Sequence, residues 1–115
     1  MSRARGAGPD PARLQALAEN LGQTPQAVAR TLHEELRAAR AQIDAGLASE
    51  DLTAVGDGAH AARNSALMVG AAPLLSELRA LETAADSGEL RSAREVRGRA
   101  DADLADLIEA LGELA

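Results

Sequence analysis

The stretch that decides the fold is residues 28–47, VARTLHEELRAARAQIDAGL. Its large apolar residues recur every three or four positions, and most residues between them are charged or small. This spacing matches the 3.6-residue period of an α-helix and gives the segment one continuous apolar stripe. We therefore predict a long amphipathic helix that buries Val28, Leu32, Leu36, Ala39, Ile43 and Leu47.

Start and stop signals on both sides of this stretch predict four further helices. Asp10-Pro11 and Thr24-Pro25 each place a capping side chain before a proline, which is typical of a helix N-terminus. Gly22 should end the first helix, Ser49 is the predicted cap of the third, and Gly70 ends or bends the third. The second helix should end near Ala48, Pro73 should open the fourth, and Asp86-Ser87-Gly88 should end it.

Each of these other helices also has an apolar stripe at helical spacing. The predicted inward positions are Leu14, Leu17 and Leu21; Leu52, Val55, Ala59, Ala62, Ala66 and Val69; Leu74, Leu78, Leu81 and Ala85; and Leu90, Val96, Ala100, Leu104, Leu107, Leu111 and Leu114. Short connections make successive long helices antiparallel neighbours. The predicted fold is all-α, an up-down antiparallel four-helix bundle with a short extra N-terminal helix. Residues 1–9 are predicted to be a flexible arm, and residues 10–115 a single domain.

The composition supports this fold and excludes several kinds of function. The chain has 115 residues, enough for one core, and contains no Phe, Tyr or Trp, so the core must be aliphatic. It contains no cysteine, which excludes disulfides and thiolate metal sites. The net charge of −6 argues against nucleic-acid binding, which needs a basic surface.

No targeting or membrane segment is evident. The N-terminal residues MSRARGAGPDP include arginines but no apolar run, and no stretch has the roughly 18 consecutive apolar residues of a membrane span. No P-loop or dinucleotide-binding glycine pattern is present, so we expect no ATP site. We expect a cytoplasmic protein without membrane partners.

His60 is the candidate functional residue, because it lies on the predicted third helix at the edge of the apolar stripe. Residues three or four positions away share its face: Gly56, Asp57, Arg63 and Asn64. Arg63 would place a permanent positive charge near a phosphoryl group on the imidazole. Asp57 or Asn64 would hydrogen-bond one ring nitrogen and leave the other free. Gly56 and Gly58 are poor helix residues, and we interpret them as allowing another protein to approach closely.

The segment around His60 resembles the histidine-containing phosphotransfer (HPt) domain family of two-component phosphorelays. The family pattern is roughly AHxLKGxxxxxGAxxL, with an Asp nine positions before its His and a later LE. The residues that fit it in register are Asp51, Ala59, His60, Gly70, Ala71, Leu74 and Leu81-Glu82.

The resemblance implies that His60 is a phosphoacceptor that relays a phosphoryl group between aspartates of response-regulator receiver domains. It implies receiver domains as partners, with a hybrid histidine kinase as a further one. No intrinsic cofactor is expected, because the receiver supplies Mg²⁺. The protein would be a relay intermediate rather than a turnover enzyme, and a monomer.

Three positions depart from the family pattern. Arg63 replaces the usual Lys and keeps its charge, Ala62 replaces the usual Leu, and Asn64 replaces the usual Gly and adds bulk beside the ring. Leu67 and Met68 lie where the family often has small residues. For these two, partial core packing competes with a role in partner docking.

Two alternatives to a relay protein are open. The chain would instead be a helical adaptor that binds a receiver or kinase without being phosphorylated, or the phosphoacceptor domain of a larger kinase. His33, the second histidine, clusters with Arg30, Arg37 and Arg40 at helical spacing and is interpreted as a solvated surface residue.

Overall fold

A computed structural model describes residues 8–115, which form five α-helices and no strand. The helices are α1 (Pro11–Leu21), α2 (Pro25–Ala48), α3 (Leu52–Met68), α4 (Ala72–Asp86) and α5 (Leu90–Leu114). The predicted all-α class is confirmed. Of the predicted arm, residues 1–7 lie outside the described residues, while Gly8 and Pro9 precede α1 and are half-buried.

The helix ends follow the predicted signals at all but one position. The side chains of Asp10 and Thr24 accept hydrogen bonds from the backbone N–H groups of Ala12 and Ala27, as N-caps do. The prediction that Ser49 caps α3 is wrong, because Ser49 is the C-cap of α2 and its hydroxyl donates to the Ala45 carbonyl. Asp51 caps α3 instead, and its carboxylate accepts from the Ala54 N–H at 3.1 Å.

Helix α1 is anchored to the turn between α3 and α4. Gly70 has φ of +72° in this turn, a left-handed conformation that glycine adopts without strain. The backbone N–H of Asp10 donates to the Val69 carbonyl at 2.7 Å, and Arg13 donates from Nη2 to the Leu67 carbonyl at 3.0 Å. Since α3 has no basic residue in its last turn, Arg13 supplies the positive charge at its C-terminus.

The four long helices contact one another in a closed order. Helix α3 packs on α2 and α4, and α5 packs on α4 and α2, while α1 lies mainly against α2. Between α2 and α5, the Arg97 guanidinium donates to both carboxylate oxygens of Asp44, at 2.8 and 3.2 Å. Arg94 adds a 2.9 Å hydrogen bond to the Leu47 carbonyl, so polar contacts join these two helices along one edge.

The core is aliphatic, and the predicted stripes of α2 and α4 are buried throughout. The terminal positions of three other stripes are not buried. Leu21 and Leu114 are exposed, and Leu52 and Leu90, at helix ends, are half-buried. Leu17, inside the α1 stripe, is also half-buried. With that exception, the interior of the stripes follows the sequence period and their ends do not.

Close approach between α2 and α3 occurs at two glycines. A Cβ on Gly58 would lie 2.8 Å from Cγ1 of Ile43 and 3.1 Å from the Ala39 carbonyl oxygen. A Cβ on Gly46 would lie 2.9 Å from Cγ2 of Val55. The interpretation of Gly58 as a point of approach for another protein is wrong, because α2 of the same chain already occupies that space.

His33 is not the solvated residue that its helix face predicts. Its ring is half-buried, and Nδ1 lies 2.8 Å from the Ile108 carbonyl oxygen on α5. A carbonyl only accepts hydrogen bonds, so Nδ1 donates. Gly112 leaves room for the ring, since a Cβ there would lie 2.9 Å from Cε1 of His33. The prediction failed because the partner helix is 75 residues away in the chain.

None of the helices within residues 8–115 combines the length and apolar character needed to cross a membrane.

Two glycine-to-alanine variants test the close approach of α2 and α3. Gly98→Ala should raise the free energy of unfolding by roughly 0.5–1 kcal/mol, because a Cβ there meets nothing within 4 Å and alanine favours the helix. The free energy of unfolding of Gly58→Ala should be about 1–3 kcal/mol lower than that of Gly98→Ala, because the new Cβ overpacks against Ile43 and the α2 backbone. Urea denaturation measures both values, and equal stabilities would contradict the packing described.

Candidate functional site

His60 lies in the middle of α3 with its side chain 56% exposed. The residues that hold it in place are small and buried: Ala59 precedes it, and Ala62 follows two positions later. The backbone under the imidazole is therefore fixed by core packing while the ring itself faces solvent.

Glu82 on α4 contacts the ring from the neighbouring helix. The preceding residue, Leu81, is fully buried, so α4 presents Glu82 at the edge of its interface with α3. Glu82 Oε2 lies 3.1 Å from Nδ1 of His60, and its other oxygen accepts from Nε of Arg63. Arg63 and Glu82 are 24% and 22% exposed, so this ion pair is largely shielded from solvent. These three residues are called the His60–Arg63–Glu82 triad below.

Both partners in the triad approach the same ring nitrogen. Nη2 of Arg63 lies 3.0 Å from Nδ1 of His60, close to the Glu82 distance. A guanidinium can only donate and a carboxylate can only accept, so a neutral ring satisfies one of them at a time. A proton on Nδ1 satisfies Glu82 and leaves the Nε2 lone pair free. A proton on Nε2 leaves Nδ1 to accept from Arg63.

The carboxylate decides between these two tautomers. Arg63 already donates to Glu82 through Nε, so its charge is matched in either state. Without a proton on Nδ1, the Glu82 oxygen would face the ring lone pair at 3.1 Å, and two acceptors repel. With that proton, Nη2 of Arg63 faces an N–H group at 3.0 Å, but Arg63 keeps its hydrogen bond to Glu82 through Nε. We infer that the neutral ring carries its proton on Nδ1. Within the described residues, the ring's hydrogen bonds involve Nδ1 alone, which leaves the Nε2 lone pair without a partner among them.

A cleft of about 400 Å³ opens beside the ring, between the start of α3 and the end of α4. The residues that line it are Leu52, Thr53, Gly56, Asp57, His60, Glu82, Ala85 and Asp86. Gly56 faces α4, where a Cβ would make ordinary contact with Ala85 at 3.5 Å. Asp57 lines the cleft, but the hydrogen bonds to the ring come from Arg63 and Glu82. The prediction that Asp57 or Asn64 holds a ring nitrogen is therefore wrong.

Asn64, Leu67 and Met68 lie on the other side of the exposed face of α3. Asn64 and Met68 line a groove of about 450 Å³ between α2 and α3, together with Gln42. Leu67 and Met68 are 45% and 47% exposed, so neither is a core residue. Met68 also lines the grooves that run along α1. Asn64 thus borders the groove toward α2, while the triad lies toward α4.

Among residues 8–115, no three His, Asp or Glu side chains form a cluster that could hold a metal ion.

Glu82 contacts both His60 and Arg63, yet the sequence assigned it no role. It is 22 residues from His60, so helical spacing on α3 alone cannot find it. The available signal was Leu81-Glu82, which fits the later LE of the HPt pattern. That pattern gave its position but not its contact with the ring.

The variant Glu82→Gln tests the tautomer. The oxygen of the new amide would accept from Arg63, and the amide NH₂ would then face Nδ1, which favours the Nε2–H form. We expect the neutral ring to change from mainly Nδ1–H to mainly Nε2–H, as read from the ¹⁵N shifts of His60 at alkaline pH. Asp57→Asn, on the same cleft but without a ring contact, is the matched control. Unchanged ¹⁵N shifts in Glu82→Gln would contradict the assignment.

Comparison with protein-family models, with curated proteins and with solved structures finds no match to this chain.

Proposed function

We propose that this protein is a histidine phosphotransfer protein that relays a phosphoryl group between aspartates of receiver domains through phospho-His60. The observation that carries the proposal is an exposed imidazole whose Nδ1 contacts Glu82, while Nε2 makes no hydrogen bond to the described residues. The resemblance of residues 51–82 to the HPt pattern supports the same function.

The proposed fold is the up-down antiparallel four-helix bundle of that family, with α1 as an extra helix. The contacts between helices support it. Gly46 of α2 lies against Val55 of α3, and Ile43 of α2 lies against Gly58 of α3. Residue numbers therefore fall along α2 as they rise along α3, so these two helices are antiparallel. Contacts between α2 and α5 show the same relation, since His33 meets Ile108 and Asp44 meets Arg97.

The proposed reaction is transfer from an aspartyl phosphate to the imidazole. Nε2 of His60 attacks phosphorus, the new N–P bond forms, and the acyl phosphate P–O bond breaks. The receiver's aspartate leaves as a free carboxylate. Because Nδ1 keeps its proton, the phosphorylated ring carries a positive charge, and the Glu82 carboxylate stabilises that charge. Transfer to a second receiver reverses these bond changes.

Arg63 would stabilise the phosphoryl group once the ring carries it. Its guanidinium lies beside His60 Nδ1, so its side chain would turn toward Nε2 for its planar donors to reach the phosphoryl oxygens. Glu82 holds Arg63 in place before transfer. The chain thus supplies the nucleophile and one cation, and the partner supplies Mg²⁺ and the remaining catalytic groups.

The proposed docking surface is the exposed face of α3 around His60. Gly56 and Asp57 line the cleft beside the ring, and Asn64 and Met68 line the groove toward α2. The exposed Leu67 and Met68 offer apolar area to a partner. The proposed partners are cytoplasmic receiver domains and a hybrid histidine kinase, bound by a monomer of this protein.

The label-transfer experiment tests the function and assigns the residue. Receiver domains are phosphorylated with a labelled small-molecule phosphodonor, purified and mixed with this protein. We expect an acid-labile, base-stable label on the wild-type chain and none on His60→Gln. His33→Gln is the matched control, because it alters the other histidine and can still donate to the Ile108 carbonyl. Acid-labile label that persists on His60→Gln would exclude His60 as the acceptor.

A second pair of variants tests the role of Arg63. Arg63→Ala should slow transfer roughly tenfold to a hundredfold, because it removes a charge that stabilises the transferring group. Arg63→Lys should retain more of the rate, since it keeps the charge but loses the planar fork. Single-turnover kinetics at saturating receiver measure both rates. An Arg63→Ala rate equal to that of wild type would exclude the proposed role.

The adaptor alternative differs from the relay proposal in what it predicts for His60→Gln. Arg63 is already engaged by Glu82, as in a purely structural ion pair, and this observation favours the adaptor. An adaptor would bind its receiver equally well with His60→Gln and carry no label. Loss of signalling output in His60→Gln with unchanged receiver binding would exclude the adaptor.

A further inference from the structure

Arg63 is the cation that this chain places in contact with the ring of His60. Its guanidinium donates through Nε to Glu82, and its Nη2 lies 3.0 Å from Nδ1 of the ring. The residues that line the cleft beside the ring include Asp57 and Asp86 but no Arg or Lys. A phosphoryl group on the ring would therefore have acidic neighbours in the cleft, and the nearby positive charge would come from Arg63.

The guanidinium of Arg63 is not directed at Nε2 in the unphosphorylated protein. The edge formed by Nε and Nη2 contacts Glu82 and Nδ1, and Glu82 itself contacts the ring at Nδ1. A guanidinium is planar, and its donors point in fixed directions. The same edge therefore cannot bind Glu82 and phosphoryl oxygens attached through Nε2 at the same time.

A phosphoryl group on His60 would compete strongly with Glu82 for Arg63. A phosphoryl group on a side chain carries roughly −1.5 to −2 charge at neutral pH and offers three strong acceptor oxygens. Glu82 offers a single negative charge, and one of its two oxygens already faces Nδ1. Arg63 is 24% exposed, so its guanidinium has access to the solvent side of α3, where the ring lies.

Glu82 would not be left without a cationic partner when Arg63 turns away. Once phosphorus is bonded to Nε2 and Nδ1 keeps its proton, the ring itself carries a positive charge. Glu82 Oε2 already lies 3.1 Å from Nδ1, so this charge forms next to the carboxylate without further movement. The ring thus replaces the guanidinium, which avoids the cost of an unpaired charge in a largely shielded position.

We propose that phosphorylation of His60 moves Arg63 from Glu82 to the phosphoryl oxygens, while the charged ring becomes the cationic partner of Glu82. This inference rests on the proposed phosphotransfer function. Loss of the phosphoryl group to a receiver reverses the exchange and returns Arg63 to Glu82. Because Glu82 is paired with a cation in both states, the phosphoryl group enters and leaves without unpaired charge between α3 and α4.

The direct test follows Arg63 by NMR after phosphorylation with phosphoramidate, which gives its phosphoryl group to the imidazole and leaves as ammonia. No receiver domain is needed. We expect the Nε–H signal of Arg63 to shift and its guanidinium protons to correlate with the phosphorus on His60. Arg97 is the internal control, because its Nε donates to Asp44 at 2.8 Å between α2 and α5, and its signal should not change.

The two ways in which this test can fail are distinct. Phosphorus on Nε2 of His60 with an unchanged Arg63 signal would overturn the exchange and leave the proposed function intact. A chain that takes up no phosphorus on His60 would count against the proposed function and, with it, the exchange.

Two variants give a second reading, from the equilibrium ratio of phospho-His60 to phosphorylated receiver. Arg63→Ala removes the stronger contact from the phosphorylated state, so the ratio should fall roughly tenfold. Glu82→Gln weakens one charge pair in each state, so the ratio should change by less than about threefold. An Arg63 that stays on Glu82 predicts the reverse pattern, an unchanged ratio in Arg63→Ala and a large fall in Glu82→Gln, and that result would overturn the exchange.

Discussion

The close approach of α2 and α3 is the constraint on which the rest of this structure depends. The chain has no aromatic side chain, so helices must come near one another to bury enough aliphatic surface. Gly46 and Gly58 allow this, because neither leaves room for a Cβ at the contact. With its inner face made of small residues, α3 is fixed firmly between α2 and α4. The outer face of α3 is then left as a rigid surface, and His60 lies at its centre.

Helix α4 connects this surface to the rest of the molecule. Toward α3 it presents Glu82, which contacts both His60 and Arg63. Toward α5 it presents Glu77, whose Oε1 atom is buried and has no hydrogen-bond partner among the described residues. The same helix therefore carries one carboxylate that is well paired with a cation and another that is not. The first is placed to stabilise positive charge on the imidazole.

Much of the fold could be predicted from the sequence, because capping residues, prolines and apolar spacing are local signals. The stripe of α2 and the start signals at Asp10, Thr24 and Pro73 correspond to the structure. The error at Ser49 arose because Ser49 and Asp51 are both capping residues two positions apart, and only the backbone turn decides between them. These local signals state where helices begin, but not which helices meet.

The parts of the site that prediction missed depend on contacts between distant residues. Helical spacing placed Arg63 beside His60 correctly, but it also nominated Asp57 and Asn64, which do not hold the ring. Glu82 and the Ile108 carbonyl that accepts from His33 lie on other helices. Gly58 gave an ambiguous signal, since a glycine in a helix suits a partner protein and a neighbouring helix equally well. Only the packing of α3 between α2 and α4 resolves these choices.

The central claim is that Nε2 of His60 is the atom that accepts the phosphoryl group, while Glu82 retains the proton on Nδ1. It is tested most directly by ³¹P–¹⁵N coupling in the ¹⁵N-labelled chain after phosphorylation by a receiver domain. The account predicts phosphorus bonded to Nε2 of His60, with Nδ1 still protonated. Phosphorus on Nδ1 of His60, or on any other residue, would contradict it.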